Sequence, residues 1–120
     1  MFYYCRHCKQ IVYVLKKGAS LVCCGEKMVE LNANTTDAAN EKHVPVVEVN
    51  GNIVNVKVGS VTHPMTAEHY IAWIAIKTTN GIHFKHLTPT DAPEATFALL
   101  DGEQLLETYE FCNLHMLWKK

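Results

Sequence analysis

Residues 44–58 read VPVVEVNGNIVNVKV and predict a β-hairpin. Two runs rich in valine and isoleucine flank Asn50-Gly51, a dipeptide that favours tight hairpin turns because both residues readily adopt positive φ. The run from 53 to 58 alternates apolar and polar residues, as expected for a strand with one buried face. The segment therefore predicts an antiparallel strand pair in a β-rich fold.

Four more strand-like runs lie downstream, at 70–76, 82–87, 96–100 and 104–111. Asn80-Gly81 separates the first two runs and Asp101-Gly102 separates the last two, so each pair predicts another hairpin. No helical periodicity of any length is present. Short strands at this spacing predict a two-sheet antiparallel β-sandwich, whose loops offer places to assemble a site.

Composition excludes several classes of protein. The 120 residues are 48% hydrophobic and carry a formal charge of −1, so there is no broad basic surface for nucleic acid. No apolar run approaches membrane-spanning length, and no export signal is recognisable, so we expect a cytoplasmic protein. In that compartment the five cysteines are better interpreted as metal ligands than as disulfides.

One cysteine and four histidines lie in or beside predicted loops of the sandwich. Cys112 precedes His115 by three residues, a spacing that lets both contact one metal through a short turn. His43, His63 and His69 lie upstream in polar or proline-marked segments that we expect to be loops. We interpret the four imidazoles and the thiolate as ligands of a single iron. His83 and His86 fall within a predicted strand and are assigned structural roles.

The remaining cysteines cluster near the N-terminus. Cys5 and Cys8 form a CxxC pair, and Cys23-Cys24 follows after fourteen residues. This segment is too short to bury a core of its own, and four thiolates suit a tetrahedral zinc or iron site. A strand is predicted at 11–15. Polar residues 32–40 read as a linker, so we predict a metal-binding domain at 1–35 and the sandwich domain at 36–120.

These motifs resemble desulfoferrodoxin, the two-iron form of superoxide reductase. The N-terminal cysteines resemble its desulforedoxin-like rubredoxin-type centre, and five further segments resemble its neelaredoxin-like catalytic domain: residues 41–46, 58–65, 69–71, 91–93 and 112–115. The resemblance covers nearly the whole chain and places all five proposed iron ligands in order.

The resemblance implies an immunoglobulin-like sandwich and a homodimer. It implies Fe(2+) held by the four histidines in a plane with Cys112 on the axis, and superoxide reduced by one electron to hydrogen peroxide. The N-terminal site of four cysteines would hold Fe(3+) or zinc. A small carrier such as rubredoxin would donate electrons.

Two residues beside His43 are candidate catalytic residues. Lys42 is a compact positive charge that can attract a small anion and favour protonation of peroxide. The resemblance implies that Glu41 binds the iron after oxidation, once product has left. Without the neighbouring ligand, the two would read as an ordinary surface lysine and a loop carboxylate.

The chain departs from the family pattern at two positions. Met116 follows His115 where the family commonly has glycine, and Lys9 follows the first cysteine pair where such turns typically have glycine. Side chains on these turns can alter the surroundings of the metals they border.

Two alternatives remain open at this stage. Cys112, His115 and Met116 superficially supply the ligand types of a blue-copper electron carrier, although adjacent residues reach one ion with difficulty. Both clusters could also serve non-catalytic roles, as a rubredoxin-like electron-transfer centre or as structural zinc.

Overall fold

The computed structural model describes all 120 residues, which form two compact units, Met1–Asn32 and Ala33–Lys120. Antiparallel strands build nearly all of the regular structure in both units. The prediction of a mostly β protein is therefore confirmed. The one α-helix has four residues, so no helix here is long or apolar enough to cross a membrane.

The N-terminal unit contains five short strands: β1 (Phe2–Tyr4), β2 (Ile11–Tyr13), β3 (Val22–Cys23), β4 (Glu26–Lys27) and β5 (Val29–Glu30). One sheet has the order β2-β1-β5, and β3 pairs with β4 in a second. The strand predicted at 11–15 is present but ends at Tyr13. Phe2 is the one buried aromatic residue of this unit, and its ring packs on Tyr13 at 4.9 Å. So small a core leaves the four thiols as its main means of stabilisation.

The C-terminal unit contains one helix and seven strands: α1 (Asn40–His43), β6 (Pro45–Asn50), β7 (Ile53–Val58), β8 (Ile71–Thr78), β9 (Gly81–His86), β10 (Glu94–Ala98), β11 (Leu105–Cys112) and β12 (Met116–Lys119). They form a three-stranded sheet of order β10-β7-β6 and a four-stranded sheet of order β12-β11-β8-β9.

The core of this unit joins the two sheets. Val54, Val56 and Val58 alternate along β7 and are at most 1% exposed, and they share one apolar cluster with Ile74 and Ile76 of β8. Each such side chain contributes roughly 1.5–3 kcal/mol by leaving water. Packing of these inner faces confirms the predicted sandwich.

The two Asn-Gly hairpins form, although each turn lies one residue from its predicted place. Asn50 pairs with Ile53, which leaves Gly51 and Asn52 as the turn residues. Gly51 has φ +60°, a conformation that glycine adopts without steric cost. In the second hairpin Thr78 pairs with Gly81.

The hairpin predicted around Asp101-Gly102 is wrong. β10 pairs with β7 and β11 pairs with β8, so the connection crosses from one sheet to the other. The turn residues are present, but β10 belongs to the three-stranded sheet and β11 to the four-stranded sheet, so the two strands do not pair with each other. A local turn signal cannot specify which strand becomes the partner.

His43 ends a helix instead of lying in the predicted loop. Pro45 stops α1 because it disfavours helical backbone at Val44, which is extended with ψ 122°. Proline is tolerated at the start of β6, an edge strand. The helix lies against residues 59–61, where Val61 N–H donates to the Glu41 carbonyl at 2.9 Å. This contact fixes the approach of α1 to the sandwich.

Candidate metal centre

Loops and element ends of the C-terminal unit supply the five predicted ligands. His43 ends α1, Cys112 ends β11, and His115 lies in the turn between β11 and β12. His63 and His69 lie in the connection between β7 and β8. The fold thus brings together residues separated by as many as 72 positions in sequence.

The five side chains converge on one point. One donor atom from each residue lies within 4.8 Å of every other. Adjacent imidazole centroids lie 4.6 to 5.1 Å apart in the order His43, His63, His69, His115, and His43 lies 6.5 Å from His69 across the ring of four. Those distances are close to the sides and diagonal of a flat square.

The sulfur of Cys112 lies close to two of the imidazoles. Its Sγ is 3.5 Å from Nε2 of His63 and 3.9 Å from Nδ1 of His115. On the far side of the His63 ring, Nδ1 donates to the carbonyl of Pro64 at 2.7 Å. That tautomer leaves Nε2 as a bare lone pair facing the cluster, the form that binds a metal.

Burial favours the neutral form of three of the ligand histidines. Loss of hydration lowers the pKa values of His43 and His63 to about 4 and also lowers the pKa of His69. The neighbouring imidazoles and the positive charge of Lys42 act in the same direction. At neutral pH these three imidazoles therefore offer lone pairs without first losing a proton.

Burial also favours the neutral form of the Cys112 thiol, which for a thiol means a higher pKa. Cys112 is 0% exposed, and desolvation raises its pKa, although backbone N–H groups of His115 and Leu114 oppose the rise. A buried thiolate needs a cation beside it. Ligation by a metal supplies that charge and releases the proton.

The donor set and its buried polar atoms fit a transition metal. Nδ1 of His43 and Nε2 of His69 are buried without a hydrogen-bond partner, a state that folded proteins avoid. Imidazole suits iron, copper and zinc, and four imidazoles with one thiolate make five ligands, one more than a structural zinc site uses. The residues present fit an iron ion.

Glu41 and Lys42 are both exposed on α1, beside the ligand cluster. The Glu41 carbonyl accepts hydrogen bonds from Val61 N–H and from the Ser60 hydroxyl at 3.2 Å. This anchorage holds the backbone of both residues next to His43.

Glu110 lies beside the cluster and was not singled out from the sequence. Its side chain is completely buried, and its Oε1 lies 3.7 Å from Nδ1 of His43. The His43 ring stacks on Trp118 at 4.9 Å with an interplanar angle of 17°. The two-residue period of a strand could have identified Glu110, because it lies two residues before Cys112 and alternate residues of a strand share a face.

The four cysteines of the N-terminal unit form a second cluster. One sulfur from each of Cys5, Cys8, Cys23 and Cys24 lies within 4.8 Å of the others. The Cys8 and Cys23 sulfurs are 3.5 Å apart, far beyond a disulfide bond, and all four thiols are free. A backbone hydrogen bond from Cys8 lowers the pKa of Cys5 to about 6. Four convergent sulfurs fit zinc or iron.

Left-handed backbone occurs at both positions where the chain departs from the family's glycine. Met116 has φ +66° and Lys9 has φ +70°. A non-glycine residue in this region carries some strain.

Beside the cysteines, the Glu26 carboxylate bridges Arg6 and His7. The His7 side chain therefore contacts a carboxylate and lies outside the cysteine cluster.

His83 and His86 lie outside both clusters, as the sequence predicted. Both belong to β9, and the Nε2 atom of His83 pairs with Glu103 at 2.9 Å. The Glu103 carboxylate also accepts hydrogen bonds from the Thr78 hydroxyl and the Leu100 N–H. His83 thus helps to tie the β8–β9 hairpin to the connection before β11.

Comparisons with known proteins match both units. The family model described as "Desulfoferrodoxin" matches residues 35–120, and the model "Desulfoferrodoxin, N-terminal domain" matches residues 1–31. A desulfoferrodoxin from Syntrophotalea carbinolica is 51% identical over 117 residues, which cover 97% of this chain and 91% of that protein.

Two solved structures extend the comparison. The superoxide reductase from Treponema pallidum aligns with a TM-score of 0.84 and 48% identity, covering 100% of this chain and 98% of that one. A superoxide reductase from Giardia intestinalis, described as 1Fe-SOR, aligns with a TM-score of 0.59 and 33% identity over 67% of this chain and 95% of that one. Both share the sandwich fold described above.

Proposed function

The chain belongs to the desulfoferrodoxin family and is a superoxide reductase, and from this premise we propose that His43, His63, His69, His115 and Cys112 hold its catalytic iron. The observation that carries the assignment is the convergence of four imidazoles and one thiol, whose donor atoms all lie within 4.8 Å of one another. The reaction joins one superoxide, one electron and two protons to give one hydrogen peroxide.

When bound, Fe(2+) supplies the single electron. The residues around it prepare the site for that transfer. The imidazoles provide nitrogen donors, and the Cys112 thiolate is the strongest electron donor of the five, which favours electron transfer toward an oxygen species. Burial of Cys112 and His63 keeps water away from the sulfur.

Lys42 is proposed to attract superoxide and to favour protonation of the product. Its side chain is exposed. Its positive charge helps to lower the pKa values of His43, His63 and His69. A positive charge beside the ligand cluster raises the local concentration of a small anion. Because the group is exposed, ionic strength screens its effect.

Glu41 is proposed as the carboxylate that the oxidised centre binds after product has left. The hydrogen bonds that Val61 and Ser60 donate to its carbonyl support this role, because they hold residue 41 near the ligand His43. Its side chain is exposed, so a change of its conformation costs little free energy.

We propose that the four N-terminal cysteines hold Fe(3+), with Zn(2+) as the alternative, and that residues 1–35 form this domain while residues 36–120 form the catalytic domain. Support comes from four free thiols with convergent sulfurs. A visible spectrum with metal analysis separates the two metals, because zinc thiolates are colourless.

The biological setting is proposed in three parts. The protein detoxifies superoxide in the cytoplasm, which its five free thiols support. A small electron-transfer protein such as rubredoxin reduces it. It forms a homodimer, a state supported by exposed apolar side chains such as Leu15 and Val22, at 89% and 64% exposure; sedimentation equilibrium tests that state.

The electron-carrier alternatives lose support at this site. A blue-copper centre uses two histidines, whereas four converge here. The relatives with solved structures are superoxide reductases.

The deciding experiment mixes the reduced, metal-analysed protein anaerobically with a pulse of superoxide and measures peroxide. Reduction gives one peroxide per superoxide. Dismutation gives one peroxide per two superoxides and would refute the proposal. Protein that carries no iron in the C-terminal unit would refute the ligand assignment.

A further inference from the structure

Glu110 is an isolated carboxylate inside the apolar core. It lies on β11 between its cross-strand neighbours Ile74 and Trp118, and its side chain is 0% exposed. Neither carboxylate oxygen has a hydrogen-bond partner. An unsatisfied buried polar group costs about 1–3 kcal/mol, so a residue of this kind needs a reason.

His43 presents the complementary unsatisfied atom. Its Nδ1 is buried, has no hydrogen-bond partner and lies 3.7 Å from Oε1 of Glu110. The stack on Trp118 restrains the His43 ring in this orientation. A donor and an acceptor thus face each other at slightly more than hydrogen-bond distance, and a small movement joins them.

We propose that Glu110 is the positioning residue of His43: its carboxylate accepts a hydrogen bond from Nδ1–H, so that Nε2 carries the lone pair for the iron. This inference rests on the proposed function, because it takes His43 as a ligand. A metal-binding imidazole usually donates its other N–H to a carboxylate or carbonyl, which fixes both tautomer and ring orientation.

His63 gives an internal comparison. Its Nδ1 donates to the Pro64 carbonyl at 2.7 Å, so a backbone acceptor fixes that ring. His43 ends α1, and the structure offers its Nδ1 no backbone carbonyl. A side chain from a strand of the four-stranded sheet, β11, therefore has to perform the same task.

The test compares three variants of the iron-loaded protein. Glu110→Leu removes the acceptor, and Glu110→Gln keeps a side-chain carbonyl that can accept from Nδ1–H. Glu107→Gln is the matched control, since Glu107 lies on the same strand but pairs with Lys119 at 2.9 Å and is partly exposed. Iron affinity is measured by competition with a chelator, and the His43 N–H proton is followed by NMR of 15N-histidine-labelled, reduced protein.

We expect Glu110→Leu to bind iron about 10 to 100-fold more weakly and to lose solvent protection of the His43 N–H proton. Glu110→Gln should restore affinity to within a few-fold of wild type while shifting that proton, and Glu107→Gln should leave both readouts unchanged. Replacing Glu110 by leucine removes a buried polar group that has no hydrogen-bond partner, so we expect the Glu110→Leu protein to fold.

Three results would overturn the proposal. One is a folded Glu110→Leu protein with wild-type iron affinity. Another is an equal loss of affinity in the Leu and Gln variants with matching falls in Tm, which would indicate a structural role alone. If Glu110→Leu does not fold, an unshifted His43 N–H proton in Glu110→Gln decides against it. Since no readout uses superoxide, failure here is distinct from failure of the peroxide test.

Discussion

The Sγ atom of Cys112 lies 3.5 Å from Nε2 of His63, although 49 positions separate the two residues in sequence. Both side chains are essentially inaccessible to solvent. A thiol and an imidazole lone pair are thereby held in a dry environment, next to three other imidazoles.

Replacing Cys112 with serine should abolish superoxide reduction. A serine hydroxyl is nearly isosteric but does not ionise at neutral pH and is a poorer electron donor than thiolate. We expect the rate with superoxide to fall by about 100-fold or more, while the Tm stays close to wild type. Stopped-flow kinetics measure the rate, and full activity in this variant would contradict the proposed role of the sulfur as an iron ligand.

Replacing Lys42 with alanine should slow the reaction with superoxide by about tenfold and flatten its dependence on ionic strength. The charge of Lys42 reaches three of the ligand histidines, so its removal weakens attraction of an anion to the site. Rate constants measured over a range of salt concentrations check the expectation.

Lys57→Ala is the matched control for steering. Lys57 is also an exposed lysine of the C-terminal unit, but it lies on β7 and is not among the charges that lower the pKa values of the ligand histidines. Its removal changes net charge equally and should leave the salt profile as in wild type. If Lys42→Ala and Lys57→Ala have the same profile, local steering by Lys42 is excluded.

Gly59→Ala should displace the segment that carries Glu41 and Lys42. A Cβ at position 59 would meet the Glu41 carbonyl oxygen at 2.6 Å and the Lys42 carbonyl carbon at 2.9 Å, and both are backbone atoms that cannot rotate away. We expect a loss of about 1–3 kcal/mol in the free energy of unfolding and a slower reaction. Gly18→Ala meets nothing within 4 Å and should be neutral in both assays.

Acid should remove a contribution from Glu103. Hydrogen bonds from Thr78, from the Leu100 N–H and from His83 lower the pKa of this carboxyl from 4.5 to about 2. The unfolded state therefore binds the extra proton first, and stability that is present above pH 4.5 is lost as the pH falls toward 2. Denaturant titrations at several pH values measure this loss, and Glu103→Gln should lack this part of the pH dependence.

Cys5→Ser should eliminate the visible spectrum of the N-terminal centre and spare the catalytic reaction when an external reductant is supplied. Cys5 is the buried member of its cluster, at 2% exposure. A tetrahedral site needs four ligands, so the three thiols that remain in this variant cannot complete it. Loss of superoxide reduction in this variant would mean that the N-terminal centre is required for catalysis.

Several features could be predicted because they depend on neighbours in sequence. The alternation in 53–58 and the Asn-Gly pairs identified two hairpins, and the Cys112 to His115 spacing identified a turn able to present two ligands. Turn chemistry and strand period act over a few residues, so they predict that a hairpin forms, to within one residue of its turn.

Other features depend on which strands become partners. The connection through Asp101-Gly102 crosses between sheets because β10 and β11 bury their apolar faces against different strands. His43 ends a helix because Pro45 and the hydrogen bonds to residues 59–61 act together. Neither choice is readable from local composition.

The residue types predicted the chemistry: four imidazoles and one thiol at one site, four thiols at another, and enough strands for a sandwich. That Glu110 faces His43 at 3.7 Å inside the core depends on the folded arrangement of the chain. The reason is physical. Residue type sets what a side chain can bind, whereas the packing of strands and the docking of α1 against residues 59–61 set which buried group lies beside it.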